Sequence, residues 1–110
     1  MRNVNTFSYS RHLSKKDKRR IKYRIQRKER GFDDTELWNL DDTILRFTLP
    51  RLKVFRNYTT SYPLGMTFEE WQNIIDKMID GIEKYIVDSW DSEAQEGIDL
   101  FFKYFNHLWD

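Results

Sequence analysis

Apolar side chains recur at helical spacing in three stretches of the chain. The repeats begin at Leu37, at Trp71 and at Ile98, and each places its apolar groups on one face of an α-helix. No alternation typical of strands and no hairpin-forming dipeptide is present. The pattern predicts an all-α fold: a small antiparallel helical bundle of three main helices plus a basic N-terminal helical arm. Apolar positions of the three helices include Leu37, Leu40, Ile44, Phe47, Leu52, Trp71, Ile75, Met78, Ile82, Ile98, Phe101, Phe105 and Trp109.

Local signals predict where these helices begin and bend. Thr67 and Glu70 form a capping box, which is the most specific boundary signal in the chain. Three carboxylates within residues 33–36 suit the positive end of a helix dipole, so the first main helix is expected to start there. Pro50 lacks a backbone donor, which predicts a kink or break near residues 46–50.

The basic arm has weaker support as an independent helix. Ser14 is a candidate N-cap for a helix over residues 15–30, and Gly31 is a natural stop. Ile21 and Ile25 supply only a narrow apolar stripe. We therefore expect the arm to be helical when it is docked or bound.

Charge divides the chain more sharply than hydrophobicity does. Residues 1–31 hold twelve Lys and Arg against two acids, a balance of +10, whereas residues 32–110 hold seven against sixteen, a balance of −9. We therefore predict a basic arm (1–31) and an acidic, aromatic-rich helical bundle (32–110). Such a split is typical of a segment that binds an anionic partner, or that pairs with an acidic surface of its own or a sister chain.

Cations and neighbouring aromatic groups are the candidate binding residues. Basic side chains can neutralise phosphates, and Tyr23 could stack on a base. Tyr58 lies in a polar loop beside Arg56, where an aromatic ring can form a contact surface or cover the core. The candidate ligand-binding residues for an anionic partner are Arg19, Arg20, Tyr23, Arg24, Arg27, Lys28, Arg56 and Tyr58.

Most of the large aromatic residues are predicted to pack in the core. The domain is small, and large apolar side chains at helical spacing usually face inward. This expectation covers Phe47, Trp71, Phe101 and Phe105.

No constellation predicts catalysis, a metal or a cofactor. The chain has no cysteine, no phosphate-binding glycine loop and no nucleophile motif, so we expect a non-enzyme without cofactors. The carboxylates between Asp33 and Asp42 do not share one helical face and have no histidine beside them. Pairing with the helix dipole and the basic arm is the favoured interpretation. His107 and Asp110, three residues apart, are a weak metal pair.

No apolar run approaches the roughly 20 residues that a membrane span needs. The first residues are polar and basic without a hydrophobic stretch, so we expect no secretory signal. The expected location is the cytoplasm.

Three segments carry a family resemblance: RIQRKERGFDDTELWNLD at 24–41, LPRL at 49–52 and FNHLWD at 105–110. On these residues the chain resembles a family of small bacteriophage and prophage proteins. The resemblance implies action in the cytoplasm of an infected bacterial host, and it transfers no functional residue. By analogy with small helical phage proteins that sequester cyclic nucleotide messengers, it also raises antagonism of host defence.

Three functions remain open from the sequence. The first is a homo-oligomeric binding protein that sequesters an anionic ligand such as a nucleotide second messenger. The second is an accessory protein that binds DNA or RNA through the basic arm. The third is a structural or inhibitory module that binds a protein partner, from the host or from a second copy.

Overall fold

The computed structural model describes residues 7–110, and every regular element in that range is helical. No strand occurs between residues 7 and 110, which confirms the all-α class. None of the described helices combines the length and apolarity that crossing a lipid bilayer requires. The four α-helices are α1 (Arg19–Arg30), α2 (Leu40–Tyr58), α3 (Phe68–Val87) and α4 (Ala94–Lys103). Short 3-10 helices cover Tyr9–His12, Asp34–Leu37 and Phe105–His107.

Backbone contacts divide the chain into two compact units, Met1–Arg46 and Phe47–Asp110. The division therefore falls inside α2 and not at residue 31, where the charge changes sign. The first unit carries thirteen Lys and Arg against seven acids, and the second carries six against eleven. Helix α1 shares its unit with the acidic turn Asp34–Leu37.

Helix α1 begins four residues later than the sequence predicted. Ser14 accepts a hydrogen bond from the Lys16 amide at 3.3 Å, which makes a turn before the helix. The Asp17 carboxylate then accepts from the Arg19 amide at 2.9 Å, so the helix starts at Arg19. Gly31 ends it with a φ of 87°, as predicted, because glycine adopts this left-handed conformation without strain.

Helix α2 corrects two predictions. It runs as one helix through Pro50, so a break there is wrong, while the alternative of a kink stays a prediction. Leu45 and the expected position Leu52 are buried, whereas the four other expected positions, from Leu37 to Phe47, are about half exposed. The helix is apolar on more than one side, and periodicity alone does not say which side faces inward. The expected core positions that are exposed are Leu37, Leu40, Ile44 and Phe47.

Helix α3 starts where the capping box predicted. Thr67 Oγ1 accepts from the Glu70 amide at 3.1 Å, and the Glu70 carboxylate accepts from the Thr67 amide at 3.0 Å. The core of the second unit lies along this helix. Its most deeply buried side chains are Trp71, Ile75, Met78 and Ile82, all on one face of α3.

Two glycines bring α3 and α4 into backbone contact. A Cβ atom on Gly97 would lie 2.3 Å from the Lys77 carbonyl oxygen, and one on Gly81 would lie 2.6 Å from the Gly97 Cα. Ion pairs join Lys77 to Glu96 at 3.5 Å and Lys84 to Glu93 at 2.9 Å. From Lys77 to Lys84 the residue numbers rise, whereas from Glu96 to Glu93 they fall, so the chain direction reverses between the two paired segments.

The C-terminal aromatic residues divide between core and surface. Phe101 is buried as predicted, but Phe105 is 59% exposed, which corrects its assignment to the core. Phe105 follows the end of α4 in a short 3-10 helix, so it leaves the helical face that carries Phe101. Its ring still meets Phe101 edge-on, with centroids 5.6 Å apart.

Candidate anion-binding site

A buried polar network holds α1 in the first unit. Arg27 Nη1 and Ser8 Oγ both donate to Asp33 Oδ2, and the Thr35 amide donates to Asp33 Oδ1 at 2.9 Å. Asp33 is completely buried. Burial alone would raise the pKa of Asp33, but the hydrogen bonds from Ser8, Thr35 and Arg27 outweigh it and hold that pKa below its usual value. Asp33 is therefore a buried carboxylate that requires its guanidinium partner.

A second acid at the surface reinforces the attachment. Asp34 accepts from Gln26 at 3.0 Å and from Arg30 at 2.7 Å, and Lys22 lies 3.5 Å from the same carboxylate. These contacts lower the pKa of Asp34, chiefly through the Gln26 hydrogen bond. The prediction that the acids after Gly31 receive the basic arm is confirmed.

A basic cleft of about 240 Å³ opens beside this network. Its lining combines the turn before α1 with one side of the helix, and it contains six cations and one carboxylate. The lining residues of the basic cleft are Ser10, Lys15, Lys16, Asp17, Lys18, Arg20, Ile21, Arg24 and Arg27.

Two arginines of the basic cleft are fixed in place by the protein itself. Arg20 Nη1 donates to the carbonyl oxygens of Ser10 and Leu13, at 3.2 and 2.7 Å. Arg27 donates to Ser10 Oγ at 2.8 Å as well as to Asp33. Neutral carbonyl partners leave the positive charge of Arg20 uncompensated, so the cleft has a rigid cationic wall.

The other cations are not neutralised within residues 7–110. Lys15, Lys16, Lys18 and Arg24 are exposed and form no ion pair there. Asp17 is the one acid of the lining, and it is occupied by Arg19 at 2.9 Å. The hydrogen bond from the Arg19 side chain is the main reason that the pKa of Asp17 falls to about 2. The basic cleft thus concentrates positive charge around a space large enough for phosphate groups.

Of the residues predicted from the sequence, Arg20, Arg24 and Arg27 line the basic cleft. Arg19 lies at its edge through the ion pair with Asp17. Lys28 is exposed on α1 and does not line it.

Tyr23 requires a correction. It is only 5% exposed and packs edge-on against Trp38 with ring centroids 6.3 Å apart. A ring buried in this way does not offer a face to a base, so Tyr23 is a core residue of the first unit.

Arg56 and Tyr58 belong to the second unit. Arg56 forms a two-pronged pair with Asp76, with nitrogen–oxygen distances of 2.9 and 3.1 Å. The hydrogen bond to Asp76 raises the pKa of Arg56. Tyr58 is 70% exposed and lines an apolar groove. The structure gives neither residue an anion-binding neighbourhood of its own.

Sequence reasoning missed the three lysines of the basic cleft. Lys15, Lys16 and Lys18 lie in the predicted basic run, but a helix starting at Lys15 would scatter them over several faces. The observed turn before Arg19 instead folds them around one space. The residue that could have revealed this turn from the sequence is Asp17, because an Asp can cap a helix that starts two residues later.

A smaller cavity of about 140 Å³ in the first unit also has basic residues in its wall, Arg11, His12 and Arg46. Arg46 is neutralised there by Asp42, with Nε 2.6 Å from the carboxylate. This cavity therefore suits an anion less well than the basic cleft does.

The weak metal pair at the C-terminus has other contacts. His107 packs against the rings of Trp71 and Tyr104. Asp110 accepts from the Thr60 amide and from Thr59 Oγ1, both at 3.0 Å, and these bonds lower its pKa, the Thr60 bond most. Within residues 7–110 no three His, Cys, Asp or Glu side chains are grouped as metal ligands.

Comparison with known proteins gave no match: no family model, no curated protein and no solved structure is significantly similar to the chain. The functional assignment therefore depends on the chemistry of the basic cleft.

Proposed function

We propose that this protein is a non-enzymatic binding protein that holds a phosphate-bearing ligand in the basic cleft. The observation that carries the proposal is a set of four cations that have no ion-pair partner within residues 7–110, beside an arginine fixed by carbonyl oxygens. The four cations are Lys15, Lys16, Lys18 and Arg24. Hydrogen bonds from charged groups to phosphate are about twice as strong as neutral ones. Fixed arginines also lose little side-chain entropy on binding.

The ligand class that we propose is a nucleotide second messenger, recognised through its phosphates. None of the described residues that line the basic cleft is aromatic, and Tyr23 is buried, so base stacking has no support there. Recognition should then depend on phosphate number and spacing more than on base identity. In the setting implied by the phage resemblance, sequestering such a messenger would antagonise host defence. The scaffold in this proposal is the antiparallel three-helix bundle with its basic arm.

Calorimetric titration with a cyclic dinucleotide tests the proposal. Arg24→Gln removes one cleft cation, and we expect affinity to fall about 10-fold or more, since a hydrogen bond to a charged group contributes about 1.5–3 kcal/mol. Lys28→Gln is the matched control, because it removes the same charge from the same helix outside the basic cleft. Equal losses from both variants, or no heat with the unmodified protein, would overturn the proposal.

Nucleic-acid binding is the second candidate, because Lys28 is exposed on α1 without an ion pair inside the described residues. A polyanion following the helix would contact Lys28 and the cleft cations alike. Affinity for long DNA or RNA would then fall steeply with salt, and Lys28→Gln and Arg24→Gln would each reduce the salt dependence by about one charge.

A further inference from the structure

The basic cleft holds a high positive charge in a small space. Of the six cations in its lining, only Arg27 has an acidic partner within residues 7–110, namely Asp33. The one acid of the lining is itself occupied by Arg19. Five positive charges therefore remain around a space of about 240 Å³, and residues 1–6 contain no Asp or Glu that could pair with them. This charge suits a ligand that carries several negative charges close together.

The size of the basic cleft limits how much of a nucleotide it can hold. Pockets that enclose a whole small-molecule ligand measure about 300–1,000 Å³. The basic cleft is smaller, at about 240 Å³, and its described lining residues offer no aromatic ring on which a base could stack. The cleft is therefore fitted to the phosphate end of a nucleotide, with the nucleoside outside it.

Arg20 offers one edge of its guanidinium group to a phosphate. A guanidinium group has five N–H donors, and two of them belong to Nη1. Arg20 Nη1 donates to the carbonyl oxygens of Ser10 and Leu13, whereas Arg20 Nε and Nη2 donate to no group within residues 7–110. Nε and Nη2 share the edge with which arginine binds two oxygens of one phosphate. The carbonyl bonds thus fix the group and leave its phosphate-binding edge available.

The arginines of α1 extend this charge along the helix. Arg20, Arg24 and Arg27 are four and three residues apart, so they lie on one face of α1. Arg27 is committed to its ion pair, so the charge that remains for a ligand lies between the lysines before α1 and Arg24. Arg20 and Arg24 are about 6 Å apart along the helix axis, at 1.5 Å per residue. A chain of two or three linked phosphates spans such a distance.

We propose that the basic cleft selects a chain of adjacent phosphates with a free end, as a linear nucleotide carries, over the separated phosphodiesters of a cyclic dinucleotide. This inference rests on the proposed function and narrows its ligand class. A terminal phosphate carries about −1.5 to −2 charges at pH 7, whereas a phosphodiester carries one. In such a chain one phosphate meets Arg20 while its neighbours meet Lys15, Lys16 and Lys18. A cyclic dinucleotide holds its two phosphates apart on a ring, so it places less charge in the same space.

Calorimetric titration with adenosine mono-, di- and triphosphate, without magnesium, tests the selection. Affinity should rise about 10-fold with each added phosphate, because each brings further hydrogen bonds to charged groups. A cyclic dinucleotide should bind measurably but about 10-fold or more weaker than the triphosphate. Guanosine triphosphate should match adenosine triphosphate, because the base lies outside the cleft.

Two further ligand conditions identify the phosphate chain as the group that is bound. Magnesium bridges adjacent phosphates and neutralises their charge, so adding it should weaken binding of the triphosphate and leave that of the cyclic dinucleotide unchanged. Inorganic triphosphate separates the chain from the nucleoside. Affinity equal to that of adenosine triphosphate supports recognition of the chain alone, and a loss of all binding would contradict it.

A lysine variant assigns the selection to the basic cleft. Lys16→Gln should lower affinity for the triphosphate about 10-fold and affinity for the monophosphate much less, because a single phosphate is held chiefly by Arg20. Lys28→Gln is the matched control. It removes the same charge from an exposed position of α1 outside the cleft, so it should change both affinities little. Circular dichroism of each variant checks that the helices are retained.

Three results would overturn the inference and leave the proposed function standing. They are equal affinities for the mono- and triphosphate, tighter binding of the cyclic dinucleotide than of the triphosphate, and equal losses of triphosphate affinity in Lys16→Gln and Lys28→Gln. If no ligand of the series binds, the proposed function falls together with the inference.

Discussion

Different interactions stabilise the interior of each unit. The first buries a carboxylate, Asp33, and its helix α1 is attached by Arg27, two serines and a threonine. The second buries Trp71 and aliphatic side chains, and its helices meet at Gly81 and Gly97. A polar core needs every partner in place, because an unpaired buried charge is costly, whereas an apolar core depends on volume and shape. The contrast explains how a strongly basic helix with a thin apolar stripe is retained in the first unit.

Replacing Arg27, the partner of Asp33, should produce the largest loss of stability. Arg27→Met keeps much of the side-chain volume but leaves a buried carboxylate without its cation, which costs about 3–5 kcal/mol. Amide exchange should show lost protection in α1 with little change in α3. Arg24→Met, on the same helix and exposed, is the control and should change stability by less than about 0.5 kcal/mol. Equal protection of α1 in the two variants would contradict the role of the network.

The corresponding substitution in the second unit is made at the closest contact between its helices. Gly97→Ala puts a Cβ atom 2.3 Å from the Lys77 carbonyl oxygen, so α3 and α4 must move apart. Overpacking of this kind costs about 3 kcal/mol when backbone atoms must shift. Gly65→Ala has open space around it but a φ of 92°, so it should cost about 1 kcal/mol through backbone strain alone. Urea denaturation of both variants measures the difference, and equal losses would remove the packing argument.

Acid should destabilise the first unit before it destabilises the second. The folded-state pKa of Asp33 lies below the value of an unfolded Asp, near 3.8. Its contribution to stability is therefore fully present above about pH 4 and is lost as the pH falls through the folded-state pKa. Protection of α1 amides should decline in this acid range before that of α3 amides, whose core is apolar. Simultaneous loss of protection in both helices would contradict the proposed difference.

Breaking a surface ion pair should cost the least stability. Arg56→Ala removes a well-formed pair with Asp76, but the two side chains are 33% and 49% exposed to solvent, so the cost should be below about 1 kcal/mol. The loss should shrink further in 1 M salt because the charges are screened. Thermal melting at low and high salt measures it. A larger, salt-independent cost would mean that Arg56 contributes through packing.

The sequence predicted the features that depend on local chemistry. Thr67, Glu70 and Gly31 signal a helix start and a helix stop through hydrogen bonds and backbone conformation within a few residues. The pairing of the basic arm with the acids after Gly31 was also predictable, because opposite charges adjoin across one turn. Burial of Trp71 and Phe101 followed from periodicity.

The remaining features depend on which surfaces meet. The contact between Gly81 and Gly97 requires two helices to be placed together, and neither glycine announces this locally. Periodicity marked Phe47 as core because α2 is apolar on more than one side, and the spacing alone does not show which side faces the interior. The basic cleft was identified only in part, since the turn that places its lysines begins where a helix was expected.

A nuclear magnetic resonance titration of the intact protein with a cyclic dinucleotide would locate the bound ligand residue by residue. We expect saturable shifts of amide signals in residues 15–27, which surround the basic cleft, with Lys28 and the second unit little changed. Shifts spread evenly along α1 through Lys28 would favour a polyanion contact along the helix. Shifts confined to the second unit, or none at millimolar ligand, would contradict the assignment of the basic cleft as the binding site.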